Sequence, residues 1–140
     1  MFLLFVDCIF CKIVNRQVQA KILSETDSSM SFLDAFPLSK GHSLVIPKNH
    51  RQKIQDLLPD EVTDLFSMVH HVTSKVDHLT GATLVAIHNG KNAGQEVPHL
   101  HVHIVPRIPS DSAGPIHSMF DSTATLSNDQ MSEICEKLKD

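Results

Sequence analysis

The sequence predicts an α+β domain built on a mainly antiparallel, five-stranded sheet, with one long helix and a short N-terminal helix. Three observations lead there. β-like runs lie on both sides of one long amphipathic stretch, that stretch repeats apolar residues every 3.6 positions, and the last apolar run alternates with histidine. The 140 residues fit a single domain, with a core at about 7–108 and a C-terminal tail at 109–140.

Each element has its own signal. Ile9, Phe10, Ile13 and Val14 within residues 8–16 fit one buried face of a short helix. Ala20 to Ser24 and Met30 to Leu33, separated by the turn-rich residues 25–29, predict a hairpin. Ser43 to Ile46 reads as a buried strand halted by Pro47. From Pro59 to Leu79, Val62, Leu65, Phe66, Val69, Val72, Val76 and Leu79 form a helical stripe, with Pro59 at the start and Gly81 at the stop. Thr83 to Ile87 is the next strand, residues 88–97 a glycine-bearing loop, and Pro98 to Val105 the last strand. Beyond Ile108 the Ser, Asp, Thr and Pro content predicts a loosely held tail. Within it, Ser127 and Gln130 have capping-box spacing ahead of a short helix with Met131, Ile134, Cys135 and Leu138 on one face. Cys135 is expected to pack that helix.

Composition narrows the function. A net charge of −4 with no block of Lys and Arg argues against a nucleic-acid duplex or an anionic membrane as partner. The seven aromatic residues, all Phe, make a poor stacking platform for single strands. The apolar start Met1-Phe2-Leu3-Leu4-Phe5-Val6 is too short for a signal peptide or membrane span and reads as an edge segment, an interface or an appended extension. Three cysteines point to a reducing compartment, the cytoplasm or cytoplasm and nucleus.

The unusual feature is histidine, ten in all. On a strand His99, His101 and His103 share one face at about 6.6–6.8 Å, while Leu100, Val102 and Ile104 take the other. Such a row can be a solvated face, a metal cluster or a nucleophilic site. The preceding loop favours the last reading. Gly90 and Gly94 permit close backbone approach, Asn89 and Gln95 carry amides suited to phosphate oxygens, and Lys91 and Arg107 add positive charge. A neutral imidazole near pH 7 is a competent nucleophile. His42 could line the sheet near the site, His70 and His71 lie on the long helix and His78 and His117 read as solvated; with nothing clustered around them, a structural or surface role is favoured for all five.

With these motifs the chain resembles the histidine triad (HIT) superfamily, whose signature is His-x-His-x-His flanked by apolar residues. The resemblance runs from Asp7 to Arg107 and includes the segment from Cys8 to Ile13, Phe32-Leu33-Asp34, the segment from Gly41 to Lys48, Gly94-Gln95 and the triad, in family order. It implies that His101 attacks the α-phosphorus of a purine nucleotide and forms a nucleotidyl-histidine that water hydrolyses. His103 would bind phosphate oxygens and assist the leaving group, Asp34 the ribose hydroxyls, and Ile9, Phe10 and Phe32 the base. A homodimer is also implied. His88 stands where the family commonly has Asn or Gln touching ribose or phosphate, and Glu96 where Ser or Thr often reaches the phosphate. A carboxylate at that place repels further phosphates, which predicts a preference for nucleoside phosphoramidates over dinucleoside polyphosphates. The alternatives are a dinucleoside polyphosphate hydrolase and a non-catalytic nucleotide-binding or scaffolding module.

Cys8-x-x-Cys11 has the ligand spacing of zinc, although two buried cysteines explain it equally well alone. Within a HIT-like fold His50 and His99 complete a four-donor set, giving a closed, structural zinc site.

Overall fold

The computed structural model describes residues 7–140, so the apolar opening at 1–6 lies outside the described residues. Contacts divide the chain into a unit ending at Pro109 and a second unit, Ser110–Asp140. In the first, helix α1 (Ile9–Val14) precedes strands β1 (Ile22–Glu25), β2 (Ser29–Leu33) and β3 (Ser43–Pro47), helix α2 (Pro59–Thr80), and strands β4 (Thr83–Ile87) and β5 (Val102–Pro106). The five strands form one antiparallel sheet in the order β1-β2-β3-β5-β4.

Helix α2 begins where Pro59 fills the first turn and the Glu61 carboxylate accepts the Leu58 N–H, and it stops at Gly81 in the left-handed conformation. Its buried stripe, Leu65, Met68, Val69, Val72 and Val76, packs on Val45, Leu100, Val102 and Ile104. The stripe is narrower than the periodic pattern implied, since Val62, Phe66 and Leu79 are exposed. Strand alternation sends the neighbouring residues to the opposite face, where Met30, Phe32, Leu44 and Ile46 pack with Cys8, Phe10, Cys11 and Ile13. On α1 it is Cys11 rather than Ile9 that faces inward; Ile9 is 41% exposed.

The triad segment departs from the expected strand. β5 starts at Val102, after His99 and His101. Pro98 has no N–H to give a ladder, and the pairing with β3 ends at Val45 opposite Val102. Upstream, the Leu100 N–H donates instead to the carbonyl of Arg51 at 2.6 Å. Alternation nevertheless persists, because Leu100 lies in the helix-side core and His99 and His101 contact Phe10 on the other face.

In the second unit, helix α3 (Asn128–Leu138) has the expected capping box, with Ser127 and Gln130 exchanging side-chain bonds to each other's backbone N–H. No residue of α3 is buried, and Cys135 is exposed rather than packed.

Candidate active site and metal centre

Strand register assembles the site. Phe32 faces Leu44 across β2 and β3, Leu44 faces His103 across β3 and β5, and Ala86 faces His103 across β5 and β4. Residues two apart from these share their face. Asp34, His42, His101, His103 and His88 therefore converge at one end of the sheet face opposite α2.

His101 is 7% exposed, and its Nδ1 lies 2.7 Å from the carbonyl oxygen of His99. A carbonyl only accepts, so Nδ1 carries the proton and Nε2 keeps an open lone pair. Burial lowers the pKa of His101, against the opposing pull of that hydrogen bond, with His88 lowering it further and Asp34 and Glu96 raising it. The ring is thus a neutral imidazole near pH 7, with the Phe10 ring edge-on at 5.0 Å.

His42, for which the sequence favoured a structural role while allowing a place on the sheet near the site, is part of the cluster. It is 2% exposed, its Nδ1 accepts the Leu38 N–H at 3.0 Å, and its Nε2 lies 3.0 Å from Nδ1 of His103. The Leu38 N–H occupies one lone pair, so the His42 proton sits on Nε2 and is donated to His103. His103 then carries its own proton on Nε2, as a donor. The same logic tests the triplet Asp34, His42 and His103 as a metal site, since their donor atoms lie within 4.8 Å of one another. They do not fit one: a metal on Nε2 of His42 requires a proton on Nδ1, where the Leu38 N–H already points. The signal missed in the sequence is the period of two that places His42 on the face of Leu44 and Ile46.

Cys8, Cys11, His50 and His99 form a second cluster, with donor atoms within 4.8 Å of one another. Cys8 caps α1, its sulfur accepting the Cys11 N–H. The His99 Nδ1 lies 3.4 Å from the Cys8 sulfur and 3.6 Å from that of Cys11, and the His50 Nδ1 is 3.3 Å from Cys11. Nε2 of His99 faces the Pro47 carbonyl at 2.8 Å and must carry the proton, which leaves Nδ1 as a lone pair aimed at the thiols. His50 sits in a loop held by Glu61, which accepts from Asn49 and Arg51. Those bonds and that of Leu58 outweigh burial and hold the Glu61 carboxyl below its usual range. Burial, with Cys8 beside it, pushes the Cys11 thiol up to about 12, and burial takes His99 down to about 4. These neutral donors can hold a metal ion that stabilises thiolates on binding.

The loop residues are placed differently from their expected roles. Gln95 is buried, accepting the Gly90 N–H and donating to the carbonyl of Gln52, so its amide braces the loop. Asn89 accepts from the Ile54 N–H and donates to Gln55. Gly94, left-handed at φ 103°, lies so close under His88 that an added Cβ would meet its ring at 3.3 Å. The rings of His88 and His103 meet edge-on with centroids 5.4 Å apart. Phe10 and Phe32 pack against each other in the core, at 7% and 3% exposure. One oxygen of Asp34 accepts the Phe36 N–H and the other lies 3.5 Å from Nε2 of His42. Among the described residues, no helix is long and apolar enough to cross a membrane.

The chain matches the HIT domain over residues 15–110, and it belongs to that family. It is 41% identical over 107 residues to the adenosine 5'-monophosphoramidase of Schizosaccharomyces pombe, spanning 76% of this chain and 78% of the relative. The crystal structure of a histidine triad nucleotide-binding protein from Candida albicans is similar with a TM-score of 0.79 at 32% identity, covering 94% of each chain. A zinc-bound histidine triad family protein from Mycobacterium smegmatis has a TM-score of 0.71 at 32% identity, covering 77% of this chain and 80% of that one.

Burial takes His103 to about 4, helped by the neighbouring His101, His42 and His88, whereas an unfolded histidine titrates near 6.5. Between those values the unfolded chain binds the extra proton. The stability linked to His103 is complete above about pH 6.5 and is lost as pH falls towards 4. Urea midpoints should therefore drop between about pH 7 and about pH 5, and less steeply in His103→Asn. Equal slopes in the two proteins would show that His103 is not held neutral.

Proposed function

We propose that this chain is a nucleotide hydrolase or nucleotidyl transferase that acts on the α-phosphate of purine nucleoside phosphoramidates or related conjugates. The observation that carries this reading is the tautomer of His101, whose Nδ1–H is tied to the His99 carbonyl while Nε2 remains an unprotonated nucleophile. In the first step Nε2 bonds to the α-phosphorus and the bond from phosphorus to the leaving nitrogen breaks. Water then displaces His101 from phosphorus and releases the nucleoside monophosphate. The Nε2–H of His103 binds a phosphoryl oxygen or the leaving atom, oriented from behind by His42.

In this reading the Asp34 carboxylate accepts from ribose hydroxyls, Ile9, Phe10 and Phe32 serve the base, and His88 serves the phosphate. The Gly94 backbone supplies close approach, and the side chains of Asn89 and Gln95 hold the loop in shape. A carboxylate at Glu96, near enough to raise the pKa of His101, disfavours a long polyphosphate tail. In this reading residues 1–140 act as a single HIT domain in a reducing compartment, the cytoplasm or cytoplasm and nucleus. A homodimer, which the family resemblance implies, belongs to the same reading.

We also propose that Cys8, Cys11, His50 and His99 bind zinc. Bonds of about 2.3 Å to sulfur and about 2.0–2.1 Å to nitrogen at a tetrahedral angle separate such donors by about 3.5 Å. The separations here, 3.3 to 3.6 Å, agree with that geometry. Four protein donors would leave no open position, so the ion would be structural, tying α1 to the segment before β5.

His101→Ala is expected to lower turnover of adenosine phosphoramidate at least about a thousandfold while AMP still binds. Turnover within a few-fold of the parent rejects the nucleophile. Diadenosine tetraphosphate should be the poorer substrate by kcat/KM, and a strong preference for it contradicts the role given to Glu96. Cys11→Ala should lose bound zinc by metal analysis and lower Tm by at least about 5 °C, yet keep measurable turnover where it folds. A folded, metal-free variant with no activity would mean that the ion is required for turnover and not only for the fold.

A further inference from the structure

The site holds a fourth imidazole whose work is not yet accounted for. Ile87 pairs with Val102, so the next residue, His88, lies across from His101 on the face that carries the reacting atoms. Its ring meets His103 edge-on at 5.4 Å and rests on Gly94, where an added Cβ would come within 3.3 Å of it. Unlike His42, which is 2% exposed behind the cluster, His88 is partly open to solvent.

A phosphoramidate leaves as an amine only if its nitrogen gains a proton. His103 has one on Nε2 but cannot release it without a replacement at Nδ1, where, among the described residues, the donor is Nε2–H of His42. His42 in turn cannot be resupplied at Nδ1, because the Leu38 N–H occupies that lone pair. Passing the proton outward would leave an imidazolate beside Asp34, whose carboxylate is 3.5 Å from His42. Starting from a protonated His103 fails as well, since its Nδ1–H would confront Nε2–H of His42. The pair is therefore a fixed hydrogen-bond donor and not a proton source. His101 gives its only proton to the His99 carbonyl.

We propose that His88 is the general acid and base of the reaction, an inference that rests on the nucleotide-hydrolase reading above. As His101 bonds to phosphorus, the electron pair of the breaking phosphorus–nitrogen bond goes to the leaving nitrogen, which takes the proton from cationic His88. Neutral His88 then accepts a proton from the water that attacks phosphorus, the bond from phosphorus to His101 breaks, and both imidazoles return to their starting states. The charged and titratable groups that face this ring are His101 and His103 on the β5 side, with His42 behind His103. Asp34, just past the end of β2, bears on both His101 and His103, and Glu96 in the loop bears on His101.

The test compares two substrates in the full-length protein and in His88→Asn, with His88→Gln as a second variant. Adenosine 5'-phosphoramidate needs a proton on its leaving group, whereas the p-nitrophenyl ester of AMP leaves as a stable phenolate. Loss of the acid should lower kcat/KM for the phosphoramidate at least about tenfold more than for the ester. The parent's kcat/KM for the phosphoramidate should also fall with rising pH as the donated proton is lost, with that fall flattened in the variants. Equal losses on the two substrates, or an unchanged pH profile, overturn the assignment to His88 and leave the nucleotide-hydrolase reading intact. A parent protein that turns over neither substrate overturns both.

Discussion

The hydrogen bond between Nδ1 of His101 and the carbonyl oxygen of His99 sets the chemistry of the whole site. It selects one tautomer, orients the ring, and leaves the other nitrogen, Nε2, with its lone pair unprotonated. Burial keeps that nitrogen unprotonated near pH 7, which a nucleophile requires. A serine at this position would need a separate base; an imidazole held in this way does not. The backbone can make this bond because the triad segment has not yet entered the β ladder at His99, whose carbonyl is free to accept from a side chain.

His99 joins the two clusters. Its ring gives one proton to Pro47 and turns its other nitrogen to Cys8 and Cys11, while its own carbonyl receives the proton of His101. Anything that fixes the ring of His99 also fixes the carbonyl that determines the tautomer of His101. A metal-holding cluster at this place can influence the reaction through position alone, without touching a substrate. The Glu61 carboxylate extends the same frame, since it caps α2 and grips the loop that carries His50. The long helix thereby contributes to the site on the opposite face of the sheet.

Much of this was legible in the sequence, because periodicity reports directly on which face a side chain takes. The long helix and the hairpin correspond to observed elements, and the alternation read through residues 99–104 persists although the strand itself begins at Val102. Less legible were features decided by single hydrogen bonds between distant segments. The role of His42 depends on the register of β3 against β5 and on the Leu38 N–H, neither of which leaves a local pattern. Gln95 and Asn89 read as ligand-facing amides; the bonds their side chains make to Gly90, Gln52, Ile54 and Gln55 depend on how distant segments meet and leave no local pattern. The triad strand started late because Pro98 and the loop at 47–51 diverted its backbone bonds. On α1, a six-residue helix is too short for periodicity to separate Ile9 from Cys11.

If an imidazole bonds transiently to phosphorus, each turnover comprises two displacements, and each inverts the phosphorus centre. The most direct measurement is the stereochemical course at a chiral α-phosphorothioate analogue hydrolysed in heavy-oxygen water. Net retention of configuration is the outcome required by attack from His101 followed by attack from water. Net inversion would mean that water attacks the substrate directly and that no nucleotidyl-histidine forms.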